Sequence, residues 1–498
     1  MRLADVLAGI TPVENSLGSL EIGGISIDSR MTRPGDLFVA LPGHHADGHS
    51  FLAAAVRAGA ATALVEQEVS HPPLPCVRVA STSAALPVVA VRFFGDPSAA
   101  LTVIGVTGTN GKTTVTYLLE SILDAAGKKT AVIGSINYRL AGKVLRSGLT
   151  TPFPHELQEV MGGALSGGAS HLVMEVSSHS TAQGRIEGVR FDAGLFTNLS
   201  HDHLDFHGDM ESYFHAKARF FRYFLPAGGK MGGMAFNTDD PYGARLAREF
   251  PAALTFGFSR ERAVYPLSVE MGWEGTSLSL STPVGPLDLR ARIIGDYNAS
   301  NIMAAVCGAI LLGVPPGAIR EGVEKLPAIP GRIETIPNDR GLHVFVDYAH
   351  TPDGLDRLLT ALGGLAEARL ITVFGCGGDR DRAKRPRMGR IAALRSHVVI
   401  VTSDNPRSED PGAILAGIVP GIVAEGFLQA RGPVSWEEGY FEVIPDRKSA
   451  IARALAIARR GDTVAIAGKG HENVQLIGDR RLPFDDRETV KTILAGGG

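Results

Sequence analysis

One glycine-rich segment carries residues suited to binding a nucleotide. Residues 107–114 read TGTNGKTT, directly after an apolar run at 101–106 and before a helical pattern at 113–126. Glycines let successive backbone N–H groups turn toward a phosphate, and the dipole of the following helix favours the negative charge. Lys112 would reach the β- and γ-phosphates, and the Thr113 hydroxyl would ligate Mg²⁺. The segment therefore predicts nucleotide binding.

The spacing of this segment departs from the strict GxxxxGK[ST] pattern. Val106 stands five residues before Gly111, and the other glycines fall at Gly105 and Gly108. An ordinary glycine-rich turn between a strand and a helix would not require Lys-Thr after its last glycine. The segment taken alone leaves kinase, GTPase and ligase activities open.

Three α/β regions are expected around this loop. Residues 1–97 mix short apolar runs with an alanine-rich helical stretch at 51–60, and breaks follow at 71–75 (HPPLP) and 95–98 (GDPS). Buried strands then alternate with helices, with strands predicted at 101–106, 130–136, 171–176 and 193–198. After the tract LPAIPG at 326–331 the alternation restarts, with strands predicted at 343–346, 370–374, 398–401 and 463–467. We expect a small N-terminal α/β domain (1–97), a central phosphate-loop domain with a mostly parallel sheet (98–330) and a C-terminal Rossmann-like domain (331–498).

The composition narrows the class of protein. A chain of 498 residues, 44% hydrophobic and 20% charged, is typical of a globular protein with several domains. The net charge of -3 argues against a protein that wraps nucleic acid. Three cysteines without a CxxC pattern support neither a disulfide framework nor a zinc ribbon. No secretory signal or membrane-spanning run is evident, so we expect a cytoplasmic monomer that binds no membrane.

Several uncommon segments accompany the phosphate loop in a fixed order. They are MEVSSH at 174–179, NLSHDHLD at 198–205, DYNASN at 296–301, GRIE at 331–334 and DYAH at 347–350. With these segments and the three-domain layout, the chain resembles the Mur ligase family over essentially its whole length. The segments GCGGDR (375–380), SDNPR (403–407) and GKGHE (468–472) most resemble members of the family that add diaminopimelate.

This resemblance implies an ATP-dependent amide ligase of peptidoglycan precursor synthesis. It would add meso-2,6-diaminopimelate to UDP-N-acetylmuramoyl-L-alanyl-D-glutamate through an acyl phosphate. A lysine-adding ligase is an alternative, but such relatives lack the arginine of the DNPR segment. A folylpolyglutamate synthase-like ligase is another, but it would not be expected to carry the N-terminal UDP-binding domain. A kinase or GTPase explains Lys112 but not HDHLD or DNPR, and a non-catalytic scaffold would not need every catalytic position filled.

The resemblance also implies residues for ATP, magnesium and catalysis. Glu175 and His203, each at the end of a predicted strand, match magnesium ligands together with Thr113. Lys217 aligns with a lysine carried as a carbamate, which would hold a second magnesium ion, although a helical lysine is usually only solvated. The expected catalytic set is Lys112, Glu175, His203 and Lys217. The ATP contacts are expected from Gly108, Thr109, Asn110, Gly111, Lys112, Thr113, Thr114, Asn298, Asn301, Arg332 and Asp347.

Two further sets of residues are implied for the other substrates. The UDP-linked substrate is expected to contact Ile27, Ser29, His44, His45, Ala46, Thr150, Thr151, Ser177, Gln183 and Arg185; the family has glutamine where this chain has His45. Diaminopimelate is expected to contact Arg380, Asp404, Asn405, Pro406, Arg407, Gly468 and Glu472. The guanidinium of Arg407 suits the carboxylate remote from the attacking amine, and Asp404 and Glu472 suit the ammonium on the same carbon. Asn-Pro also starts turns, so a plain turn is the alternative reading of this segment.

Overall fold

The computed structural model describes residues 1–43, 46–146, 148–430, 437 and 439–496. These residues form two compact units. The first unit comprises Met1–Thr107, Gly127–Leu195 and His215–Met234, and the second comprises Gly108–Ala126, Phe196–Phe214 and Ala235–Gly498. Within the described ranges, no helix has the length and apolar composition that crossing a membrane requires.

The first unit begins with a small parallel sheet whose strands follow chain order. Its strands are β1 (Gly24–Ser26), β2 (Asp36–Val39), β3 (Thr62–Val65) and β4 (Cys76–Arg78), and its helices are α1 (Leu3–Leu7), α2 (Asn15–Gly18), α3 (Leu52–Arg57) and α4 (Thr82–Phe94). Alternate side chains of β2 enter different apolar clusters, Leu37 on one face and Phe38 on the other. Helix α3 is shorter than the stretch predicted at 51–60, since Gly59 adopts a φ of +99° just beyond its end.

A second stretch of chain supplies the phosphate-loop elements. Its strands are β5 (Thr102–Thr107), β6 (Thr130–Ile133), β7 (Tyr138–Leu140), β8 (Lys143–Arg146), β9 (His171–Glu175), β10 (Ala193–Phe196), β11 (Gly233–Asn237) and β12 (Leu254–Phe256), and its helices are α5 (Lys112–Ala125), α6 (Pro154–Ser166), α7 (Ser178–Ala182), α8 (Leu204–His207), α9 (Met210–Arg219), α10 (Leu225–Ala227) and α11 (Pro241–Glu249). In the first unit the strand order is β10-β5-β9-β6-β7-β8, in which β5, β9 and β6 are parallel while β7 and β8 are antiparallel. In the second unit β11 and β12 form a parallel pair.

A three-stranded antiparallel sheet follows in the second unit, and the sequence analysis did not predict it. It comprises β13 (Tyr265–Gly272), β14 (Gly275–Ser281) and β15 (Leu287–Ala291), and helices α12 (Asp296–Leu311) and α13 (Pro316–Lys325) come next. Alternation in β15 buries Leu287, Leu289 and Ala291 and exposes the residues between them. This period of two is the signal that was available in the sequence. Helix α5 packs against both α12 and α13.

The last part of the second unit is a seven-stranded sheet. Its strands are β16 (Glu334–Thr335), β17 (His343–Asp347), β18 (Leu370–Phe374), β19 (Val398–Val401), β20 (Leu428–Gln429), β21 (Tyr440–Val443) and β22 (Thr463–Ala467), its helices are α14 (Pro352–Gly363), α15 (Lys384–Arg395), α16 (Pro411–Val423), α17 (Arg447–Ile457) and α18 (Asp486–Leu494), and a hairpin is formed by β23 (Val474–Ile477) and β24 (Arg480–Pro483). The order is β16-β17-β22-β18-β19-β21-β20, and every strand except β16 pairs in parallel. Separate apolar clusters cover its two faces.

The carboxyl ends of four neighbouring strands in this sheet carry the segments singled out in the sequence. DYAH follows β17, GKGHE follows β22, GCGGDR follows β18 and SDNPR follows β19. Since parallel strands end at one edge of a sheet, these four loops lie side by side. The fold therefore collects segments that are far apart in the chain.

Candidate active site

Close packing explains the glycines of the phosphate loop, residues 108–111. Gly111 adopts a φ of +86°, and a Cβ on it would lie 2.2 Å from Asn301 Oδ1. Gly108 adopts a φ of +149°, and a Cβ on it would lie 1.9 Å from Thr197 Oγ1. A side chain at either position would force the loop or the neighbouring side chain to move. The loop is thus shaped by close approach as well as by its turn.

Hydrogen bonds hold the loop against the segment after β10. Thr197 Oγ1 donates to the carbonyl oxygen of Asn110 at 2.6 Å, and the Asn110 N–H donates to Asn198 Oδ1 at 2.9 Å. Thr197 and Asn198 were predicted as part of strand β10, which instead ends at Phe196 because their side chains bind the loop. Lys112 Nζ donates to the carbonyl oxygens of Gly108 and Thr109, at 2.9 Å each. The ammonium therefore lies over the loop itself.

A cleft adjoins this loop within the second unit. Eight of the residues predicted to bind ATP line it together: Asn110, Gly111, Thr113, Thr114, Asn298, Asn301, Arg332 and Asp347. The predicted residues Gly108 and Thr109 belong to the loop beside it, and Lys112 begins α5.

Two charged residues reach the cleft: Arg332, which precedes β16, and Asp347, the last residue of β17. Arg332 Nη2 donates to Thr113 Oγ1 at 3.3 Å, and its guanidinium lies 4.9 Å from the centre of the Tyr348 ring. The Asp347 carboxylate accepts from the N–H groups of Ile333 and Ala349, each at 2.7 Å. Burial raises the pKa of Asp347, while Arg332 and these N–H groups oppose the rise. A cation from the segment before β16 and an anion from the end of β17 thus face the cleft.

Asn298 and Asn301 are buried in the first turns of α12. Asn298 Nδ2 donates to the carbonyl oxygen of Ile294 at 2.6 Å, and Asn301 Nδ2 donates to Asn298 Oδ1 at 2.8 Å. The helix begins at Asp296 after Gly295, so Asn298 does not occupy the N-cap position. The bonded pair ends beside Gly111, where the Asn301 side chain leaves no room for a Cβ.

A second group, here called the Asp404 cluster, comprises Asp404, Asn405, Lys469 and Glu472. Asn405 Nδ2 donates to Glu472 Oε2 at 2.8 Å, and Lys469 Nζ donates to the same oxygen at 3.0 Å. Lys469 Nζ also lies 3.8 Å from Asp404 Oδ1. The loops after β19 and β22 therefore share one polar network.

Asp404 is the member of this cluster that suits a cationic ligand best. Its side chain is buried, and no described group forms a hydrogen bond with its Oδ1 atom. Burial raises the pKa of Asp404, and Arg447 and Lys469 oppose the rise. Arg447 in turn forms a fully buried ion pair with Asp486 at 2.7 Å. The three carboxylates of Asp404, Glu472 and Asp486 face two cations, so the region has one unbalanced negative charge when all are ionised.

Two arginines flank this cluster. Arg407, with a φ of +53°, donates from Nη1 to the carbonyl oxygen of Gly378 at 2.7 Å. Its Nη1 would lie 2.9 Å from a Cβ on Gly377, so the glycine makes room for the guanidinium. Arg380 is exposed and donates to the carbonyl oxygen of Asp379 at 3.2 Å. Of the other predicted residues here, Pro406 is buried and Gly468, at a φ of +120°, passes close to the Asp404 carboxylate.

In the first unit, three residues predicted to bind the UDP-linked substrate come together. Thr151 Oγ1 donates to the Glu175 carbonyl at 2.8 Å and lies 3.3 Å from Ser177 Oγ. Arg185 Nη1 donates to the carbonyl oxygen of Thr151 at 3.2 Å, and its guanidinium lies 4.4 Å from the centre of the Phe153 ring. The Nε atom of Arg185 is buried, and within the described part of the chain it has no hydrogen-bond partner.

The remaining residues of that set are less closely grouped. Thr150 Oγ1 lies 3.0 Å from Ser135 Oγ, and Gln183 is exposed after α7. Ile27 and Ser29 are half-buried in the turn after β1, and Ala46 is exposed. His44 and His45 lie outside the described residues.

The four predicted magnesium ligands divide between the units. In the first unit, Glu175 accepts from the N–H and the hydroxyl of Ser135 at 2.9 and 2.8 Å, and Lys217 is buried on α9. In the second unit, Thr113 accepts from Arg332, and His203 is exposed, with a φ of +54°, beside Asp202. No group of three or more His, Cys, Asp or Glu side chains suited to a metal ion occurs among the described residues.

Comparison with known proteins identifies the family to which this chain belongs. The model of the Mur ligase middle domain matches residues 106–309, that of the Mur ligase glutamate ligase domain matches 331–470, and that of the Mur ligase family catalytic domain matches 21–91. A relative from Geobacter metallireducens is 45% identical over 500 residues, which cover 98% of each chain. The chain belongs to the Mur ligase family.

Further comparisons place the similarity within the family. The Geobacter metallireducens protein is named UDP-N-acetylmuramoyl-L-alanyl-D-glutamate–2,6-diaminopimelate ligase, and so is a Gloeobacter violaceus protein that is 42% identical over 99% of this chain and 98% of its own. A solved structure of the same name is 30% identical, with a TM-score of 0.68, and the match covers 100% of this chain and 99% of that one. The Mur ligase matches follow the three predicted regions and confirm the three-domain α/β fold. The domain boundaries at 97 and 330 stay predictions.

Some residues of this Mur ligase site were not predicted. Lys469, within the quoted segment GKGHE, was not assigned a role, yet it lies at the centre of the Asp404 cluster. Tyr348, within DYAH, supports the Arg332 guanidinium. Asp353 accepts from Asn110 Nδ2 at 3.0 Å, which ties the phosphate loop to α14. The first two were visible as members of quoted segments, whereas nothing in the sequence linked Asp353 to the loop.

Proposed function

We propose that this chain is an ATP-dependent ligase that adds meso-2,6-diaminopimelate to UDP-N-acetylmuramoyl-L-alanyl-D-glutamate through an acyl phosphate. One observation carries the proposal. The loops after β18, β19 and β22 in the second unit bring together two carboxylates, of Asp404 and Glu472, and two arginines, Arg380 and Arg407. The full-length relatives named above as diaminopimelate ligases support the same substrate. The reaction belongs to peptidoglycan precursor synthesis, and we propose that it takes place in the cytoplasm.

At the nucleotide end, ATP is bound by the phosphate loop and the cleft. The loop N–H groups and the start of α5 favour the phosphates, and Lys112 moves from its own loop carbonyls to the phosphate charge. Arg332, held on the Tyr348 ring, adds a second cation. Phosphoryl transfer needs neutralised charge and fixed reactants more than covalent help, and these groups supply both.

The UDP-linked substrate is expected in the first unit. Thr151, Ser177 and Arg185 form its densest polar group, and the buried Nε of Arg185 lacks a described partner. An anionic substrate group is a suitable ligand for this guanidinium. The carboxylate of the UDP-linked substrate takes the terminal phosphoryl group of ATP and becomes an acyl phosphate, with release of ADP. The amine of the incoming amino acid then attacks the acyl phosphate, and phosphate leaves.

The amino-acid end distinguishes diaminopimelate from lysine. The two differ by one carboxylate, on the carbon remote from the attacking amine. Arg407, with Arg380 beside it, binds that carboxylate, and Asp404 and Glu472 bind the ammonium on the same carbon. The unbalanced negative charge of the Asp404 cluster favours binding of this positively charged ammonium group. A lysine-adding enzyme would have no use for the Arg407 guanidinium in this position.

The residues present also fit magnesium. Mg²⁺ prefers oxygen ligands and commonly takes only one or two from protein, completing its shell with phosphate oxygens and water. The Thr113 hydroxyl in the second unit and the Glu175 carboxylate in the first unit are each oxygen ligands of this kind. The ion would neutralise phosphate charge. The assignments of His203 and of a carbamate on Lys217 stay predictions.

A single experiment tests the proposed function. The protein is incubated with ATP, Mg²⁺ and UDP-N-acetylmuramoyl-L-alanyl-D-glutamate, with diaminopimelate or lysine offered separately, and the product is weighed by mass spectrometry. We expect a product with diaminopimelate that requires ATP and releases phosphate. A lysine product of equal yield would point to the lysine-adding alternative, and ATP turnover without either UDP-linked product would refute the assignment.

A further inference from the structure

Lys469 is completely buried, yet it lies beside the predicted amino-acid site. Its Nζ donates to Asn405 Oδ1 at 3.1 Å, Glu472 Oε2 at 3.0 Å and the carbonyl oxygen of Val474 at 2.7 Å. An ammonium group has three N–H donors, so these partners use all of them. Lys469 therefore has no donor left for a substrate.

The bonds of Lys469 fix the orientation of the Asn405 amide. Asn405 Oδ1 accepts from Lys469 and from the Leu476 N–H, the latter at 3.0 Å. Two donors at one end of the amide identify that end as oxygen, which leaves Nδ2 facing Glu472. The side-chain amide of Asn405 is thus held in one of its two possible orientations.

The same bonds fix the carboxylate of Glu472. Its Oε2 atom accepts from both Lys469 and Asn405, while its side chain stays partly exposed, at 28%. Lys469 also separates the negative charges of Glu472 and Asp404, which would otherwise repel each other in a poorly solvated site. A single buried cation thereby holds two carboxylates near one another.

We infer that Lys469 is a positioning residue that presents Asp404, Asn405 and Glu472 to the ammonium-bearing end of the incoming amino acid. The inference rests on the proposed function. Lys469 does not contact the substrate; it acts through the three side chains that do. Removing it is therefore expected to weaken recognition of the amino acid and to leave recognition of ATP and of the UDP-linked substrate unchanged.

The test compares Lys469→Met, which keeps the length of the side chain, with Lys469→Arg and with the control Lys448→Met, which alters an exposed lysine. KM is measured for diaminopimelate, ATP and the UDP-linked substrate in the full-length protein. Loss of a donor to buried acceptors predicts a rise in KM for diaminopimelate of about tenfold to a hundredfold in Lys469→Met. We expect partial rescue in Lys469→Arg and wild-type values in Lys448→Met. A KM for diaminopimelate that stays at the wild-type value, or three KM values that rise together, would overturn the inference.

Lys469→Met leaves buried polar groups unpaired, which can prevent the variant from folding. A second variant keeps the inference testable in that case. The double variant Lys469→Met/Glu472→Gln removes both charges with little change of shape. Because Lys469 acts partly through Glu472, the rise in KM for diaminopimelate in the double variant should be smaller than the product of the rises in the two single variants. A rise equal to that product, or failure of both Lys469→Met proteins to fold, refutes a positioning role. Absence of any diaminopimelate product from wild type would instead refute the proposed function.

Discussion

Asp404→Asn is the substitution that most directly tests the amino-acid site. The change conserves shape and removes the carboxylate whose Oδ1 has no hydrogen-bond partner in the described structure. It also removes the unbalanced negative charge of the Asp404 cluster. The ammonium of diaminopimelate would then meet a neutral region, and its affinity should fall.

The magnitude follows from the burial of Asp404. Two unit charges about 4 Å apart interact by about 4 kcal/mol at an effective dielectric constant near 20. Desolvation of the ammonium offsets part of this energy, and truncating one partner of a buried charge pair costs roughly 2–5 kcal/mol in binding. We therefore expect kcat/KM for diaminopimelate to fall by about 30- to 1000-fold, or about 2–4 kcal/mol.

The stability of the protein provides the control. Because burial raises the pKa of Asp404 above its unfolded value, the folded state binds a proton more readily than the unfolded chain. Its contribution to stability therefore decreases as pH rises through that pKa, and at neutral pH the ionised group destabilises the fold. Asp404→Asn should keep or raise Tm, so a loss of activity cannot be assigned to unfolding.

The same raised pKa predicts a pH dependence. Asp404 binds the ammonium only when ionised, so KM for diaminopimelate should rise as pH falls through a pKa higher than that of an ordinary aspartate. Arg447, Lys469 and His350 favour the ionised form, while burial and Glu472 oppose it. The Asp404-dependent part of the profile should disappear in Asp404→Asn. A kcat/KM for diaminopimelate within about twofold of wild type, or an unchanged pH profile, would refute this account of the site.

Three further substitutions test other parts of the site. Arg407→Ala should raise KM for diaminopimelate by roughly 10- to 100-fold, since the remote carboxylate of diaminopimelate loses the half-buried guanidinium that binds it, and should leave the slow rate with lysine unchanged. If wild type and variant discriminate equally between diaminopimelate and lysine, Arg407 does not determine specificity. Gly111→Ala places a Cβ 2.2 Å from Asn301 Oδ1 and should abolish ATP binding measured by calorimetry, whereas Gly127→Ala, at a φ of +72° with nothing within 4 Å, meets only backbone strain and should bind ATP normally. Lys217→Ala should lose most activity and regain some with small carboxylates; wild-type rates in both this variant and bicarbonate-depleted enzyme would contradict the carbamate.

The strands of the last sheet could be predicted closely from the sequence. Those predicted at 370–374, 398–401 and 463–467 have the same bounds in the structure. Each is a run of apolar residues buried on both faces, so its ends coincide with the ends of the apolar pattern. The strand predicted at 193–198 ends earlier, at Phe196, because Thr197 and Asn198 form side-chain hydrogen bonds with the phosphate loop instead of continuing the strand.

The placement of Lys469 shows what the sequence could not reveal. A lysine between two glycines in a turn is normally expected to be exposed, because its charge is costly to bury. In the folded chain β22 lies between β17 and β18, and β19 lies beside β18, so the loop carrying Lys469 meets Asn405 and the start of β23. These partners are 64 residues before Lys469 and 5 residues after it. The strand order creates the environment that makes burial of the Lys469 ammonium favourable. The GKGHE segment alone does not indicate that order, so the burial of Lys469 could not be predicted from it.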